Sequence, residues 1–146
     1  MGYYTYYDGI AYDKDFNQID FENPNSNTLD IIKTLATFMR EEYPCDTIEE
    51  LSDVIIEIFN NGSGDLKWCD YEDHMKKLAE CFPDYKFEIE GFGEERGDWW
   101  VHDFHGDKDI KSYCSPPESS ILNIWFYIYN KIILLQEVKK INAKRL

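Results

Sequence analysis

The alternation of apolar and charged residues just after Pro83 constrains the fold more than any other feature of the sequence. The alternating residues are Tyr85, Lys86, Phe87, Glu88 and Ile89. A period of two is typical of a β-strand that buries one face and exposes the other to water. The sequence therefore predicts a half-buried strand at this point.

Two turn signals follow this strand and predict a three-stranded antiparallel meander. The acidic link Gly93–Gly97 turns the chain back into a strand at Trp99–Phe104. A second turn at His105–Lys108 leads into a strand at Ile110–Cys114. The pattern Gly91-x-Gly93 lacks the third glycine of a phosphate-binding loop and is followed by a strand, so it is interpreted as part of a turn.

Earlier in the chain, the run Tyr3–Tyr7 predicts a first strand, because its residues favour β-structure. Asp8-Gly9 predicts a tight hairpin after it. Leu66–Trp68 is a candidate for a further short strand.

Three amphipathic helices are predicted between the first strand and the meander. The first is capped by Asn27 and ends at Pro44. The second begins at the capping box of Thr47 and Glu50 and ends at Asn61-Gly62, and the third is capped by Asp70 and ends at Pro83.

The segment Ile121–Leu135 is apolar on nearly every side and rich in β-branched and aromatic residues. Its length without Gly or Pro favours a helix that belongs to a core or an interface, although a buried strand fits the same composition. Fifteen residues are too few to span a membrane.

With 146 residues, the chain has the length of one domain that buries about two-thirds of its unfolded surface. We expect a single α+β domain with a mainly antiparallel sheet and helices on one face. Residues 1–115 form its core, and residues 116–146 add a C-terminal helical extension.

The composition is strongly acidic. There are 29 acidic and 15 basic residues, which give a formal net charge of -14. Such a protein repels nucleic acid and anionic membranes and attracts basic surfaces. Its four cysteines form no CxxC pair, which fits free thiols in a reducing cytosol.

Three patches, Gly2–Tyr7, Lys67–Met75 and Phe82–Trp99, resemble small uncharacterised phage and prophage proteins. The resemblance covers residues 1 to about 115 in patches, and Cys69 stands where those proteins commonly have Tyr. It implies a ferredoxin-like α+β core and an origin in a mobile element, and it supplies no catalytic residue. Small acidic proteins of mobile elements often antagonise host defences, so an anti-CRISPR-like role follows by association.

The second predicted helix carries an acidic ridge, defined here as Glu49, Glu50, Asp53 and Glu57. Like charges at this spacing destabilise a helix slightly, and no basic residue between Asp46 and Gly62 offsets them. The ridge can imitate the phosphates of DNA for a basic protein. An ordinary solvated helix face is the alternative interpretation.

Tyrosines near the N-terminus are a second candidate contact. Successive strand residues face opposite sides, so some of Tyr3, Tyr4, Tyr6, Tyr7 and Tyr12 must be exposed. Tyr3 and Tyr6 are candidate anchors for a basic partner, with Glu94 and Glu95 as further contacts. A solvent-exposed sheet face without a partner is the alternative explanation for the exposure of these tyrosines.

Glu94, Glu95 and Asp98 also permit a different function, that of a metal-dependent hydrolase. The three histidines show no zinc-ligand spacing, and no cofactor is expected. A plain regulatory binding module is the remaining alternative. The sequence favours a non-enzymatic inhibitor that acts in the host cytoplasm. Its expected partner is a basic host protein such as a CRISPR-associated nuclease. We expect no direct contact with nucleic acid or with a membrane.

Overall fold

A computed structural model describes the chain except for residues 1–3, 61, 63–64, 94–97, 115–120 and 146, and except for the side chains of 121–127 and 141–145. The chain divides into two compact units, Met1–Cys114 and Ser115–Leu146. This border lies within one residue of the expected border between core and extension.

The first unit is an α+β domain. Its elements, in chain order, are β1 (Thr5–Tyr12), α1 (Ser26–Glu42), α2 (Ile48–Asn60), β2 (Asp65–Leu66), α3 (Tyr71–Cys81), β3 (Lys86–Gly93), β4 (Trp99–His105) and β5 (Lys108–Tyr113). The strands form one sheet in the order β2-β1-β3-β4-β5, and all neighbouring strands are antiparallel. The predicted fold class is confirmed, and the layers are consistent with a ferredoxin-like α+β arrangement.

One face of the sheet is covered by α2, which packs on β1, and by α3, which packs on β3 and β4, while α1 packs on both of these helices. Burial alternates along β1, β3 and β4, as the period of two predicts. Phe87, Ile89 and Phe104 are fully buried in the core between the sheet and the helices. The intervening residues lie on the opposite face, which we call the open face.

Helix capping follows the predicted chemistry at α2, whereas the residue predicted to cap α1 is wrong and Asp70, at the N-cap position of α3, makes no side-chain capping hydrogen bond. Asn25, not Asn27, caps α1, because its side chain accepts a hydrogen bond from the backbone N–H of Thr28 at 2.9 Å. At α2, Thr47 Oγ1 accepts from the backbone N–H of Glu50 at 3.1 Å, as the capping box predicts. The Glu50 carboxylate accepts from the Thr47 hydroxyl at 3.2 Å.

Two glycines predicted to lie in turns lie inside strands. Gly9 is in the middle of β1, so the hairpin predicted at Asp8-Gly9 is wrong. Gly91 is in β3, between Tyr7 and Trp100 of the neighbouring strands. A Cβ on Gly9 would lie 2.8 Å from the Phe59 ring, and a Cβ on Gly91 would collide with the Trp100 ring. Both glycines therefore make room for a core aromatic side chain.

The turn predicted at His105–Lys108 is confirmed as the hairpin between β4 and β5. Gly106 has φ +61°, which lies in the left-handed region that glycine adopts without strain. The acidic link before β4 lies outside the described residues, apart from its first residue. The predicted strand at Leu66–Trp68 is shorter and begins one residue earlier, as β2.

The second unit contains helix α4 (Ile121–Arg145), so a helix and not a strand forms here. Every side chain from 128 to 140 is exposed. The large apolar ones are Ile128, Tyr129, Ile132, Ile133, Leu134, Leu135 and Val138. Among the described residues, no helix is long and apolar enough to cross a membrane.

Candidate functional site

The acidic ridge is the candidate site, and α2 places its four carboxylates on one exposed face. Glu49, Glu50, Asp53 and Glu57 are all exposed. The opposite side of α2 buries its apolar residues against α1 and β1, and this fixes which side faces the solvent. The residues buried there are Leu51, Ile55, Ile58 and Phe59.

The charges of the ridge are not neutralised within the described part of the chain. No Lys or Arg there forms an ion pair with any of the four carboxylates, and the last turn of α2 holds no basic residue. Glu49 and Glu50 lie in the first turn, where the helix dipole favours negative charge. Asp53 and Glu57 have no such compensation. The ridge is therefore a surface of uniform negative charge on a rigid element.

The structure does not bring the other predicted contact residues into the ridge. Tyr3, Glu94 and Glu95 lie outside the described residues. Tyr6 is half-buried on the open face of the sheet, with its ring centroid 6.2 Å from that of Phe92. Because α2 packs on the covered face, Tyr6 and the ridge belong to different surfaces.

The hydrolase interpretation concerns Glu94, Glu95 and Asp98, of which the structure describes only Asp98. The carbonyl oxygen of Asp98 accepts a hydrogen bond from the backbone N–H of Gly93 at 2.7 Å. Asp98 also lines a hollow of about 250 Å³ between the start of β1 and the start of α3. The Lys111 ammonium group lies in this region, 4.8 Å from the centre of the Trp100 ring.

Aromatic hydroxyls line this hollow but do not act as acids at neutral pH. Burial raises the pKa of Tyr7 and of Tyr71 well above the ordinary tyrosine value. The Tyr7 hydroxyl donates to the carbonyl of Trp68 at 3.0 Å. The Tyr7 hydroxyl therefore serves as a hydrogen-bond donor that holds β1 against the segment before α3.

Two buried histidines, for which the sequence predicts no zinc site, have hydrogen-bonding partners within the fold. His74 Nδ1 accepts a hydrogen bond from the indole N–H of Trp68 at 2.9 Å. His102 Nε2 is 2.7 Å from the Asp109 carboxylate, and His102 Nδ1 is 3.3 Å from the Tyr71 hydroxyl. His74 stands at helical spacing from Tyr71 and Leu78, and this signal could have placed it on the buried face.

Among the residues that the structure describes, two groups of side chains have the types and spacing to hold a metal ion. They are Glu42 with Asp70 and His74, and Glu72 with His102 and Asp109. In the first group, the Glu42 carboxylate already accepts from the backbone N–H groups of Cys69 at 2.8 Å and Asp70 at 3.3 Å. In the second group, His102 Nε2 already lies 2.7 Å from the Asp109 carboxylate.

Comparisons with protein-family models, curated proteins and solved structures find no match to this chain.

Proposed function

We propose that this chain is a mobile-element protein that binds a basic, nucleic-acid-handling host defence protein and blocks its nucleic-acid site. A CRISPR-associated nuclease in the host cytoplasm is the type of partner that fits best. The observation that carries this proposal is the ridge of four exposed carboxylates on one helix. The resemblance to phage and prophage proteins supports the suggested origin.

The spacing of the ridge suits the imitation of a nucleic-acid strand. Glu49, Asp53 and Glu57 are four residues apart, which corresponds to roughly 6 Å along the helix axis. Phosphates of one DNA strand follow each other at about 3.4 Å along the duplex axis, so every second phosphate has a similar spacing. A groove lined with Lys and Arg can therefore interact with these carboxylates as it does with phosphates.

Charge reversal of the ridge tests the proposal. The variant with Glu49→Lys, Asp53→Lys and Glu57→Lys should fold, because exposed substitutions usually change stability by about 0.5 kcal/mol or less each. A host protein captured by the wild-type chain should bind the variant at least about tenfold more slowly, with a flatter salt dependence, because long-range attraction is removed. Stopped-flow or surface plasmon resonance measurements over a range of salt concentrations give both quantities.

A matched control changes the same amount of charge elsewhere. Glu22, Asp30 and Glu80 are exposed and lie outside α2. Their replacement by Lys should slow association much less than the ridge triple variant does. In a separate experiment, DNA should compete with the wild-type chain for the captured protein. If both triple variants slow association equally, the ridge is an ordinary solvated helix face. A captured protein that binds no nucleic acid would favour the plain binding module.

A further inference from the structure

Strand β5 lies at one end of the sheet, and in the described part of the chain no strand pairs with its outer edge, the edge that faces away from β4. All six residues of β5 are exposed, and Ile110 is 68% exposed. Native sheets usually protect such an edge with Pro, a bulge or a very short strand, because its N–H and C=O groups can pair with another chain. β2, at the opposite end, has only two residues, whereas β5 contains no Pro and pairs with β4 in a continuous register. The outer edge of β5 therefore invites a further strand.

The register with β4 determines which backbone groups of β5 face the outer edge. The backbone N–H of Cys114 donates to the carbonyl of Trp99 at 2.8 Å, so the backbone groups of Cys114 point toward β4. Successive residues of a strand point their backbone groups to opposite sides. Asp109 and Lys111 lie an odd number of residues before Cys114, and their N–H and C=O groups therefore point away from β4. Those of Ile110 point toward β4.

The charges on β5 select one register for antiparallel pairing with the β5 of a second copy. Backbone groups match only where residues that point outward stand opposite each other. The register centred on Ile110 meets this condition and places Asp109 of each copy opposite Lys111 of the other, which is a favourable cross-strand pair. The neighbouring registers, centred on Asp109 or on Lys111, place two aspartates or two lysines directly opposite each other. Like charges in that position are destabilising.

We propose that this chain forms a two-fold symmetric dimer in which the β5 strands of two copies pair antiparallel about Ile110. The residue at the centre then meets its own counterpart, as a two-fold interface requires. Asp109 and Lys111 form about four backbone hydrogen bonds with the other copy. The exposed Ile110 side chains contact each other, and the two five-stranded sheets become one continuous sheet.

The packing of the first unit leaves room for this dimer. α3 packs on β3 and β4, and the β4 strands of the two copies would lie three strand spacings apart, roughly 14 Å, which exceeds the distance of about 10 Å between packed helices. The ridge stays accessible, because α2 packs on β1, and β3 and β4 lie between β1 and β5. The dimer is therefore independent of the proposed function.

The acidity of the chain does not prevent this contact. Residues 1–114 contain 27 acidic and 10 basic residues, a net charge of -17, so two copies repel each other at long range. Physiological salt screens charges that are more than about 8 Å apart. β5 itself carries two lysines and one aspartate, so the contact is not acidic.

Site-specific cross-linking of the full chain tests the register, in a background where the four native cysteines are replaced by Ser. Ile110→Cys places two thiols opposite each other in a pair without hydrogen bonds, with Cα atoms about 4.5 Å apart, and this distance permits a disulfide. Ser112→Cys is the matched control on the same side of β5, because its two copies would be roughly 13 Å or more apart. Under mild oxidation, Ile110→Cys should give at least about tenfold more disulfide-linked dimer than Ser112→Cys.

A charge change tests the reversible dimer of the full chain. Lys111→Glu places like charges opposite each other at two symmetry-related positions and should raise the dissociation constant of the dimer by about tenfold or more. Lys108→Glu is the matched control, because it changes the net charge equally but stands opposite Ser112, and it should raise this constant by about twofold or less. Sedimentation equilibrium at physiological salt measures both constants. Because Lys111→Glu also loses the contact with the Trp100 ring, thermal unfolding midpoints verify that both variants fold.

Equal cross-linking at positions 110 and 112 would overturn the inference. A wild-type chain that stays monomeric at about 1 mM would do the same and would leave the edge to a strand of a different protein. Association that Lys111→Glu weakens no more than Lys108→Glu would assign the contact between copies to another surface, such as α4. Failure of the proposed function is seen separately, because it appears as unchanged association kinetics of the ridge triple variant.

Discussion

His74 shows how a single buried side chain connects the pH of the solution to the stability of the fold. Burial lowers the pKa of His74 below its ordinary value of 6.5, because the charged ring would lose its hydration. The hydrogen bond from Trp68 requires an unprotonated Nδ1. The folded chain therefore holds His74 neutral, whereas the unfolded chain binds a proton below pH 6.5.

The stability contributed by this histidine should be present above pH 6.5 and decrease as the pH falls below that value. In His74→Gln, which keeps an acceptor for Trp68 but cannot titrate, this part of the decrease should vanish. His74→Leu should cost roughly 1–3 kcal/mol at pH 8, because the buried Trp68 N–H loses its acceptor. Urea unfolding of both variants between pH 5.5 and 8 measures the effects.

The exposed His105 provides the control for this pH dependence. His105→Gln should leave the difference in the free energy of unfolding between pH 8 and pH 5.5 as it is in the wild-type chain. If His74→Gln loses as much stability on acidification as the wild-type chain, the titration belongs to other groups.

At the scale of elements, α1 supplies the cap of α3. The Glu42 carboxylate at the end of α1 accepts hydrogen bonds from the backbone N–H groups of Cys69 and Asp70. The side chain of Asp70, the predicted cap, makes no capping hydrogen bond. These hydrogen bonds fix the segment before α3 relative to α1 and satisfy the backbone N–H of Asp70, the N-cap residue of α3.

Glu42→Ala should therefore destabilise the chain by about 0.5–2 kcal/mol, the usual effect of losing a helix cap. Asp70→Ala should cost less, contrary to the expectation from the sequence. Glu41→Ala is the matched control, since Glu41 is exposed and forms only a 3.9 Å ion pair with Lys77. Chemical denaturation gives the free energy of unfolding of the three variants. A larger loss of this free energy for Asp70→Ala than for Glu42→Ala would contradict the assignment of the cap.

At the scale of the whole molecule, the buried apolar core belongs to the first unit. Among the residues whose side chains are described, all those of the buried core lie between Tyr7 and Phe104. In α4, by contrast, seven large apolar side chains between residues 128 and 140 are exposed. Exposed apolar surface of this kind promotes association with other molecules.

A chain that ends at Cys114 should therefore fold by itself and unfold in one cooperative transition. The full chain should associate at lower concentration than the shortened one. Urea titration and analytical ultracentrifugation measure these properties. A shortened chain that fails to fold would show that residues 115–146 complete the core.

The sequence by itself determined the features that depend on neighbouring residues. The period of two at Phe87 and Ile89 identified the strand and its buried face, and the helical spacing of α2 predicted which side would expose Asp53 and Glu57. These predictions hold because side-chain direction follows from local backbone geometry. The net charge of the ridge is likewise a property of composition.

Only the tertiary structure decided features that join distant parts of the chain. Gly9 and Gly91 looked like turn residues until the rings of Phe59 and Trp100 were found packed against them. The capping role of Glu42 depends on residues 27 and 28 positions away. Which backbone groups of β5 face its outer edge depends on the register with β4. Register and packing arise from the burial of the whole core, and no local pattern specifies them.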